Sequence, residues 1–356
     1  MNRRQFHTSL LTLAGTSVLG PVLSAQSEPS VRPSTSVVSA DEMRAVYEEV
    51  KTPFKYGIVV DQLGGYLVDC PGIFRKDGRW FMVFISQTKN LGYETFLAQS
   101  DDLLKWEFLG PLMEFSETGW DAWQSAAYPA LMDPAWGGSS ELQKFQDRYW
   151  FTYLGGHEKG YETDPLSMGV AWTEDPTQVK ALTRYEQNPI LSPCDASARW
   201  FEKKTLYKSC VIRDPERRTG SSFLMYYNAK NEGVERIGMA VSDDMLHWKR
   251  FGTEPVIDNC SGISGDPQIV KIGDLWIMFY FGAFWRPKAF DTFAVSRDLI
   301  HWTKWEGPDL IAPSEPWDAT YAHKPWVLKQ DGVVYHFYCA VGDRGRTIAL
   351  ATSKKI

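Results

Sequence analysis

Three ionisable residues stand at the start of otherwise apolar segments of this chain. They are Asp69 in V-D-C-P-G-I-F, Asp266 in S-G-D-P-Q-I-V and His323 in A-H-K-P-W-V-L. Charged groups at such positions are costly unless they are paired or used. Together they suit general acid–base chemistry, in which one group activates water and another protonates a leaving group. We predict Asp69 as the base and His323 as the acid, its pKa raised by nearby carboxylates, with Asp266 orienting the acid or stabilising developing positive charge.

A repeated phrase supports a common register for these residues. It reads S-D-D-L-L-K-W at 100–106, S-D-D-M-L-H-W at 242–248 and S-R-D-L-I-H-W at 296–302. Asp69 lies 31 positions before Ser100, and Asp266 lies 30 positions before Ser296. Since a residue that recurs in several copies cannot converge on one site, we interpret the phrase as structural. We expect its Ser and Asp to accept backbone N–H bonds in a turn and its Trp to pack between neighbouring units.

Five aromatic-rich runs, each flanked by further strand-like segments, indicate the fold. The runs are W-F-M-V-F-I, Y-W-F-T-Y-L, F-L-M-Y-Y-N, L-W-I-M-F-Y-F and V-V-Y-H-F-Y-C. An outer strand containing Pro, such as N-P-I-L at 188–191, follows four of them, and P-A-L-M at 129–132 is taken as the first strand of the second unit. The pattern predicts an all-β, five-bladed propeller of four-stranded blades, closed by the segment Tyr56 to Tyr66.

The N-terminal part of the chain is predicted to lie outside the propeller. Residues 1–25 have a charged start, a modest apolar run and a small-residue cleavage pattern, which indicate an export signal, and Arg3-Arg4 before Phe6 resembles a twin-arginine leader. Residues 26–55 are predicted as a linker and a short helix from Ala40 to Val50, with Ser39 and Glu42 as a capping box. Residues 56–356 form the predicted catalytic propeller, and the mature protein is expected in the periplasm or outside the cell.

Composition narrows the possible partners. The net charge is −6 and no run of Lys and Arg occurs, which argues against nucleic acid and anionic membranes. Aromatic residues make up 14% of the chain and suit a carbohydrate ligand, because aromatic faces stack on sugar faces. The five cysteines lack C-x-x-C spacing, so no disulfide framework, metal site or cofactor is predicted. A structural Ca²⁺ at the propeller axis stays possible without being indicated, and the oligomeric state is not indicated.

The residues that begin the innermost strands should surround the propeller axis. On the predicted register they are Asp69, Tyr128, Lys208, Asp266 and His323. A slip of one residue would exchange the two faces of a strand. Lys324 in place of His323, and Tyr207 in place of Lys208, are therefore left open.

The chain resembles the five-bladed propeller glycoside hydrolases of families 43, 62, 32, 117 and 130. The resemblance rests on V-D-C-P-G-I-F, N-P-I-L-S-P, S-D-D-M-L-H-W and G-D-P-Q-I-V-K-I-G-D-L-W. It implies that Asp69 is the general base or nucleophile. A family 43 pattern would also place an acidic Glu in blade three, where this chain has Lys208, and Glu202 is the nearest reserve acid. The combination of Asp69, Asp266 and His323 is closer to family 117.

Further residues are predicted to bind substrate. Two loops share a phrase, G-W-D-A-W-Q at 119–124 and P-W-D-A-T-Y at 316–321, which is either a sugar-binding loop or a repeated strand-entry turn. The predicted binding residues are Tyr128, Lys208, Asp121, Trp123, Trp285, Arg286, Asp318 and Lys324.

The sequence therefore predicts an exported glycoside hydrolase that works by carboxylate acid–base catalysis at the propeller axis. Two alternatives stay open. A glycoside phosphorylase would need cations around phosphate, which Lys208, Lys324 and Arg286 permit. A non-catalytic carbohydrate-binding propeller would bind sugar without cleaving it.

Overall fold

The computed structural model describes residues 37–356. Within this range the chain forms one α-helix, one short 3-10 helix at Pro316–Asp318, and twenty strands. The helix is α1 (Ala40–Val50), and the strands are β1 (Phe54–Val60), β2 (Val68–Lys76), β3 (Arg79–Thr88), β4 (Gly92–Ser100), β5 (Glu107–Met113), β6 (Gln124–Pro129), β7 (Tyr149–Gly156), β8 (Ser167–Thr173), β9 (Thr183–Arg184), β10 (Thr205–Arg213), β11 (Phe223–Asn231), β12 (Val234–Ser242), β13 (Lys249–Arg250), β14 (Ile263–Ile272), β15 (Leu275–Ala283), β16 (Ala289–Ser296), β17 (Thr303–Lys304), β18 (Tyr321–Gln330), β19 (Val333–Gly342) and β20 (Gly345–Thr352). The predicted export signal lies outside the described residues.

The strands of residues 37–356 pair as five antiparallel groups of four, which we call blades one to five. Blades one to four are β2–β5, β6–β9, β10–β13 and β14–β17, and blade five is β18–β20 with β1. Single parallel bridges join neighbouring blades, from Tyr93 to Gln124 and from Glu235 to Ile263. The predicted all-β propeller class is confirmed.

An early strand closes the last blade. β1 pairs antiparallel with β20, with Phe54 opposite Thr352. The predicted closing strand is therefore present, although it begins at Phe54 and ends at Val60 rather than running from Tyr56 to Tyr66. Blade five thus contains strands from both ends of the described residues.

The outermost strands of blades two to four are shorter than predicted. Each has only two residues, and the Pro-containing segments predicted as strands reach the third strand through isolated bridges instead. These bridges join Met168 to Leu191, Ile237 to Ile257 and Asp291 to Ile311. Proline has no N–H to extend a ladder, so such segments do not continue as strands.

The repeated S-x-D phrase is structural, as predicted. In the copy at 296–302, Ser296 Oγ accepts the backbone N–H of Asp298 at 3.2 Å and of Leu299 at 2.9 Å, while Asp298 Oδ1 accepts those of Ile300 and His301 at 2.9 and 2.8 Å. The other two copies repeat this geometry. The phrase therefore builds a turn.

Its tryptophans connect neighbouring blades. Trp106 of blade one meets Phe337 of blade five edge to face, and Trp302 of blade four meets Tyr226 of blade three in the same way. Aromatic pairs of this kind add to the apolar burial that holds blades together.

Helix α1 begins at the predicted capping box. Ser39 Oγ accepts the N–H of Glu42, and the Glu42 carboxylate accepts the N–H of Ser39. The helix buries Met43, Val46 and Val50 in a cluster formed with residues of blades four and five. Packing of this apolar face, rather than helix propensity, stabilises so short a helix.

Candidate active site

All five blades contribute to a cavity of about 220 Å³ at the edge where the innermost strands begin. Every innermost strand contributes at least one lining residue, among them Cys70, Tyr128, Lys208, Asp266 and Lys324. Connections between the second and third strands line the same cavity, because in each blade this connection lies at the same edge as the start of the innermost strand.

The innermost strands do not share the predicted register. β2, β14 and β18 each contain an irregularity in pairing, and Cys70, Asp266 and Lys324 have positive φ at these points (50°, 54° and 63°). Asp69 and His323 therefore precede the shared position by one residue, a slip that the sequence had left open for Lys324. In blade two, β6 ends at Pro129, so the predicted strand 129–132 is incorrect.

Asp69 is completely buried beneath the cavity and is not among its lining residues. Its Oδ2 accepts hydrogen bonds from Lys324 Nζ at 2.8 Å and Arg346 at 2.9 Å, and its Oδ1 accepts the N–H of Cys70 at 2.8 Å. Burial alone would raise the pKa of Asp69, but the charges of Lys324 and Arg346 hold it well below its usual range. This carboxylate is fixed in its ionised form, which makes it a poor proton acceptor.

His323 lines the cavity, but its pKa shifts in the direction opposite to the prediction. Burial, followed by the charges of Arg346 and Lys324, lowers the pKa well below its usual value. One ring nitrogen lies 3.2 Å from the carbonyl oxygen of Cys339, and the other lies 3.4 Å from Arg346. The expectation of a raised pKa was wrong, because burial and the charges of Arg346 and Lys324 outweigh the opposing effect of Asp69 on the pKa of His323. A neutral imidazole is a weak proton donor.

Asp266 and Lys208 face each other inside the cavity. Lys208 Nζ lies 3.8 Å from Asp266 Oδ2, and the thiol of Cys70 lies 3.5 Å from the same oxygen. Lys208 also lies over the rings of Tyr128 and Trp326, at 5.3 and 5.6 Å. Within the described residues, no hydrogen bond or ion pair joins Asp266 to His323. The predicted role of Asp266 in orienting His323 therefore has no contact to support it.

Two glutamates that the sequence analysis did not single out also line the cavity. Glu162 lies in the connection between β7 and β8, and its Oε1 is 3.4 Å from both Lys324 Nζ and the hydroxyl of Tyr93. Glu235 lies near the start of β12 and is 8% exposed. Its Oε2 accepts a hydrogen bond of 3.0 Å from the Asn228 amide.

The environment of Glu235 raises its pKa toward neutral pH. Burial is the main cause and raises its pKa to about 7, and the negative charge of Glu162 acts in the same direction. The hydrogen bond from Asn228 opposes this shift without cancelling it. Glu235 and Glu162 are thus a pair of carboxyl groups with different environments in one cavity, the arrangement from which acid and base roles are assigned.

A positional signal in the sequence could have identified both glutamates. Each follows the second strand of its blade, in Y-E-T-D-P at 161–165 and N-E-G-V-E at 231–235. In an antiparallel blade the end of the second strand and the start of the first strand lie at the same edge. Searching only the starts of first strands missed these connections.

Three of the predicted site carboxylates lie outside the cavity in buried polar clusters. Asp121, Glu202 and Asp318 each precede the innermost strand of a blade and each accept a hydrogen bond from a tyrosine of the second strand. Each also pairs with a cation from the outermost strand. The tyrosine and cation partners are, in that order, Tyr153 and Arg184, Tyr227 and Arg250, and Tyr338 and Lys55.

These contacts correct three predictions. Glu202 additionally accepts from Arg199 at 2.5 Å and is fully buried, so it is not placed to serve as a reserve acid. Asp121 and Asp318 have their oxygens occupied by protein donors rather than aimed at a ligand. The shared W-D-A phrase is therefore a strand-entry turn, one of the two interpretations that the sequence permitted.

Three of the predicted substrate-binding residues, Trp123, Trp285 and Arg286, likewise contact other side chains or the backbone of the protein. Trp285 donates to the carbonyl of Ile263 at 2.8 Å, and Arg286 pairs with Asp309 at 2.7 Å. Trp123 packs under the ammonium of Lys159 at 4.3 Å. These three predicted binding residues are not among those lining the cavity.

Two exposed aromatic side chains do line the cavity. Phe284 is 63% exposed and has a φ of 67°, and Tyr161 is 39% exposed. They come from blades four and two, so aromatic surface is present on two sides of the opening. A bulky non-glycine residue at positive φ is a strained feature that often accompanies a functional site.

Residues 37–356 contain no group of three or more His, Cys, Asp and Glu side chains that could hold a metal ion. In the same range, no helix is long and apolar enough to cross a membrane.

Comparison with family models finds no match. Among curated proteins, a β-1,2-mannobiose phosphorylase of Thermoanaerobacter sp. (strain X514) is 31% identical over 120 residues, covering 28% of this chain and 37% of that protein. A sucrose-6-phosphate hydrolase of Bacillus subtilis (strain 168) is 36% identical over 69 residues, covering 19% and 14%. The matches thus span less than half of these relatives' own length.

Two solved structures are similar over nearly their whole length. One, a complex of BT0996 with RGII, is 43% identical with a TM-score of 0.86, covering 90% of this chain and 97% of its own length. Another, described as "Glycoside hydrolase", is 43% identical with a TM-score of 0.85 and the same coverage. A thermostable family-43 glycoside hydrolase, 15% identical with a TM-score of 0.57 over 85% of this chain and 91% of its own length, shares the fold.

Proposed function

This protein belongs to the glycoside hydrolases with the propeller fold, as its sequence resemblance implied, and on that premise we propose that Glu235 and Glu162 are its catalytic carboxylates. The observation that carries the proposal is the raised pKa of Glu235 in a cavity that it shares with Glu162. Hydrolysis of a glycosidic bond needs a protonated group for the leaving oxygen and an ionised group on the other side of the reaction. The raised pKa of Glu235 suits the first role, and Glu162 is a second carboxyl group in the same cavity for the other role.

In the proposed reaction Glu235 donates its proton to the glycosidic oxygen as the bond to the anomeric carbon breaks. Glu162 acts as its partner in one of two ways: it attacks the anomeric carbon and forms a glycosyl–enzyme bond that water then hydrolyses, or it removes a proton from the water that attacks this carbon. The ammonium of Lys324, 3.4 Å away, compensates its negative charge. Asp69 serves this arrangement from below, because it holds both Lys324 and Arg346 in place.

The size of the cavity supports action at a terminal sugar. Its volume of about 220 Å³ is below the ~300–1,000 Å³ of pockets for drug-sized ligands. We propose that one terminal sugar ring occupies it and that the leaving group lies at the opening against Phe284 and Tyr161. Aromatic faces at this place suit a sugar on the leaving side.

The test is a hydrolysis panel with the wild type and two variants, Glu235→Gln and Glu162→Gln. The panel contains arabinan, xylan, fructan, agar, mannan oligosaccharides and RGII, which is named with one of the 43% identical structures. We expect cleavage by the wild type and losses on the order of 10²–10⁴-fold in both variants. Glu158→Gln is the matched control, because Glu158 is exposed in the same connection as Glu162 and should keep full activity.

Three results would count against this assignment. Full activity of Glu235→Gln would remove it as the acid, and full activity of Glu162→Gln would remove it as the partner. Cleavage that requires added phosphate would favour a phosphorylase, the activity named for one curated relative. We expect no such requirement, because Lys324 and Arg346 are already bound to Asp69, and Lys208 faces Asp266.

We also propose that the protein is exported. The support is the R-R-Q-F pattern at 3–6 with its following apolar run, in residues that the structure does not describe. Expression with Arg3→Lys and Arg4→Lys together should retain the unprocessed chain inside the cell. Equal amounts of processed protein outside the cytoplasm in both cases would contradict a twin-arginine route.

A further inference from the structure

Two buried polar atoms that belong to cavity-lining residues have no hydrogen-bond partner within residues 37–356. They are Nζ of Lys208 and Oδ1 of Asn228, and both side chains are about 2% exposed. Leaving such groups unpaired is costly, above all for an ammonium. Buried polar atoms are nearly always satisfied, so exceptions facing a cavity indicate a ligand that completes them.

The surroundings of Lys208 compensate its charge without providing an acceptor. Asp266 Oδ2 at 3.8 Å is beyond hydrogen-bond distance, and the rings of Tyr128 and Trp326 face the ammonium at more than 5 Å. Three N–H donors therefore stay available to a ligand inside the cavity.

The charges of Lys208 and Asp266, and the hydrogen-bond donors and acceptors that Lys208 and Asn228 present, indicate the chemical class of the ligand. Lys208 and Asp266 already form a neutral pair, so a ligand carboxylate beside them would add an uncompensated negative charge next to Asp266. Lys208 offers donors, whereas Asn228 Oδ1 needs one. A hydroxyl group both accepts and donates, and several hydroxyls on one rigid ring can meet all three residues.

We propose that Lys208, Asn228 and Asp266 form a binding subsite for the hydroxyl groups of a neutral sugar ring, which excludes sugars that carry a carboxylate. This inference rests on the proposed function, since it concerns the sugar held in the same cavity. Lys208 donates to one ring hydroxyl, and a neighbouring hydroxyl donates to Asn228 Oδ1 or to Asp266. The subsite determines which sugars bind, and the hydrogen bond from Asn228 to Glu235 connects it to the carboxyl pair that cleaves.

The experiment measures binding and cleavage separately. Ligand-observed NMR titrates the wild type and Lys208→Met with neutral pentoses and hexoses and with the matching uronic acids. We expect the wild type to bind at least one neutral sugar and to bind uronic acids more weakly. Loss of a hydrogen bond from a charged donor should weaken neutral-sugar binding in Lys208→Met by about 10- to 100-fold.

Two further measurements separate a binding role from a structural one. The Tm of Lys208→Met should be lower than that of the wild type, because Asp266 loses its buried countercharge, and circular dichroism checks that the variant is folded at the temperature of the titration. Lys230→Met is the matched control, since Lys230 is a half-buried lysine of blade three that bonds to Tyr207 and does not line the cavity. Its sugar binding should match that of the wild type.

The inference would be overturned by unchanged sugar binding in Lys208→Met, by preferred binding of uronic acids, or by binding of no sugar to the wild type. Sugar binding that depends on Lys208 without cleavage of any glycan would contradict the proposed function and leave the subsite standing. If Lys208→Met cleaves as the wild type does, this result would contradict the subsite and leave the proposed function in place.

Discussion

Glu202 and Glu235 are both buried glutamates of the blade-three region, yet their environments are opposite. Glu202 receives hydrogen bonds from two arginines and a tyrosine, so its negative charge is fully compensated. Glu235 receives one from an amide and faces another carboxylate, so burial raises its pKa to about 7. Burial alone therefore does not identify a catalytic acid, and the number and charge of the partners do.

The cluster of Glu202 with a tyrosine and an arginine recurs, with related residues, in other blades. Asp121 and Asp318 have equivalent tyrosine and cation partners in blades two and five, and blade four replaces the carboxylate by an amide. There Asn259 bonds to Tyr280 and accepts from Lys304 at 2.9 Å. In all four blades the cluster ties the strand entry to the second and the outermost strands, whereas Glu235 at the axis bonds to the Asn228 amide in place of a tyrosine and a cation.

The largest expected effect in the structural cluster comes from Glu202→Gln. Loss of this charge leaves the buried guanidinium of Arg199 without its carboxylate partner and Arg250 with Asp195 alone, at a cost of about 3–5 kcal/mol in the free energy of unfolding. Urea unfolding followed by fluorescence measures this loss. Molecules that remain folded should keep the kcat of the wild type. A loss of kcat at unchanged stability would contradict the purely structural role of Glu202.

Asp69→Asn tests a buried carboxylate that bonds to two cations, as Glu202 does, but lies next to the cavity, as Glu235 does. It removes the charge that holds Lys324 and Arg346 while keeping the shape, and misplacement of these groups should lower kcat/KM by about 10²-fold. Steady-state kinetics on the best substrate of the panel measures this. If Asp69→Asn loses more activity than Glu162→Gln, Asp69 rather than Glu162 is the base, as the sequence predicted.

Tyr153→Phe should weaken the blade-two cluster without affecting catalysis. The variant removes the hydroxyl that donates to Asp121 at 3.1 Å, and hydrogen bonds to charged groups contribute about 1.5–3 kcal/mol. Chemical denaturation should detect the loss, whereas kcat/KM should not change. Tyr149→Phe in the same strand is the control, since Tyr149 is half-exposed and lies outside this cluster. Equal losses in both variants would argue against a specific role for the cluster.

The pH dependence should distinguish Glu235 from every carboxylate of the repeated clusters. Because its pKa is raised to about 7, the acid form is present below pH 7, and kcat/KM should fall about tenfold per unit above it. The native state binds this proton more tightly than the unfolded state, so stability should also decline between about pH 4.5 and 7. A pH–rate profile and unfolding at several pH values measure the two effects. A profile that stays flat to pH 9 would contradict the assignment of Glu235.

Much of the scaffold was predictable from local patterns. The aromatic-rich runs predicted the strands, the S-x-D phrase predicted the turns, and Ser39 with Glu42 predicted the start of α1. Each of these signals lies within a few residues of the element it specifies. The outermost strands were misplaced because their pairing depends on contacts with a distant strand and not on their own propensity.

The site was predictable only in part. Asp266, Lys208, Tyr128 and Lys324 do line the cavity, whereas the roles given to His323 and Glu202 depended on neighbours that are remote in sequence. His323 has a lowered pKa because Arg346 and Lys324 face it, and no local pattern reports that. Glu162 and Glu235 were missed because strand starts alone were searched.

By itself the sequence determined that the protein folds as a propeller and that several ionisable groups meet at its axis, since repeated local patterns specify strands, turns and the edge to which they lead. Only the tertiary structure decided which of these groups can act as an acid. In β2 and β18, as in β14, the residue with positive φ at the pairing irregularity occupies the shared axial position, and this residue is Cys70 rather than Asp69 and Lys324 rather than His323. The pKa of a buried carboxyl then depends on which charges surround it in space, and those charges come from different blades.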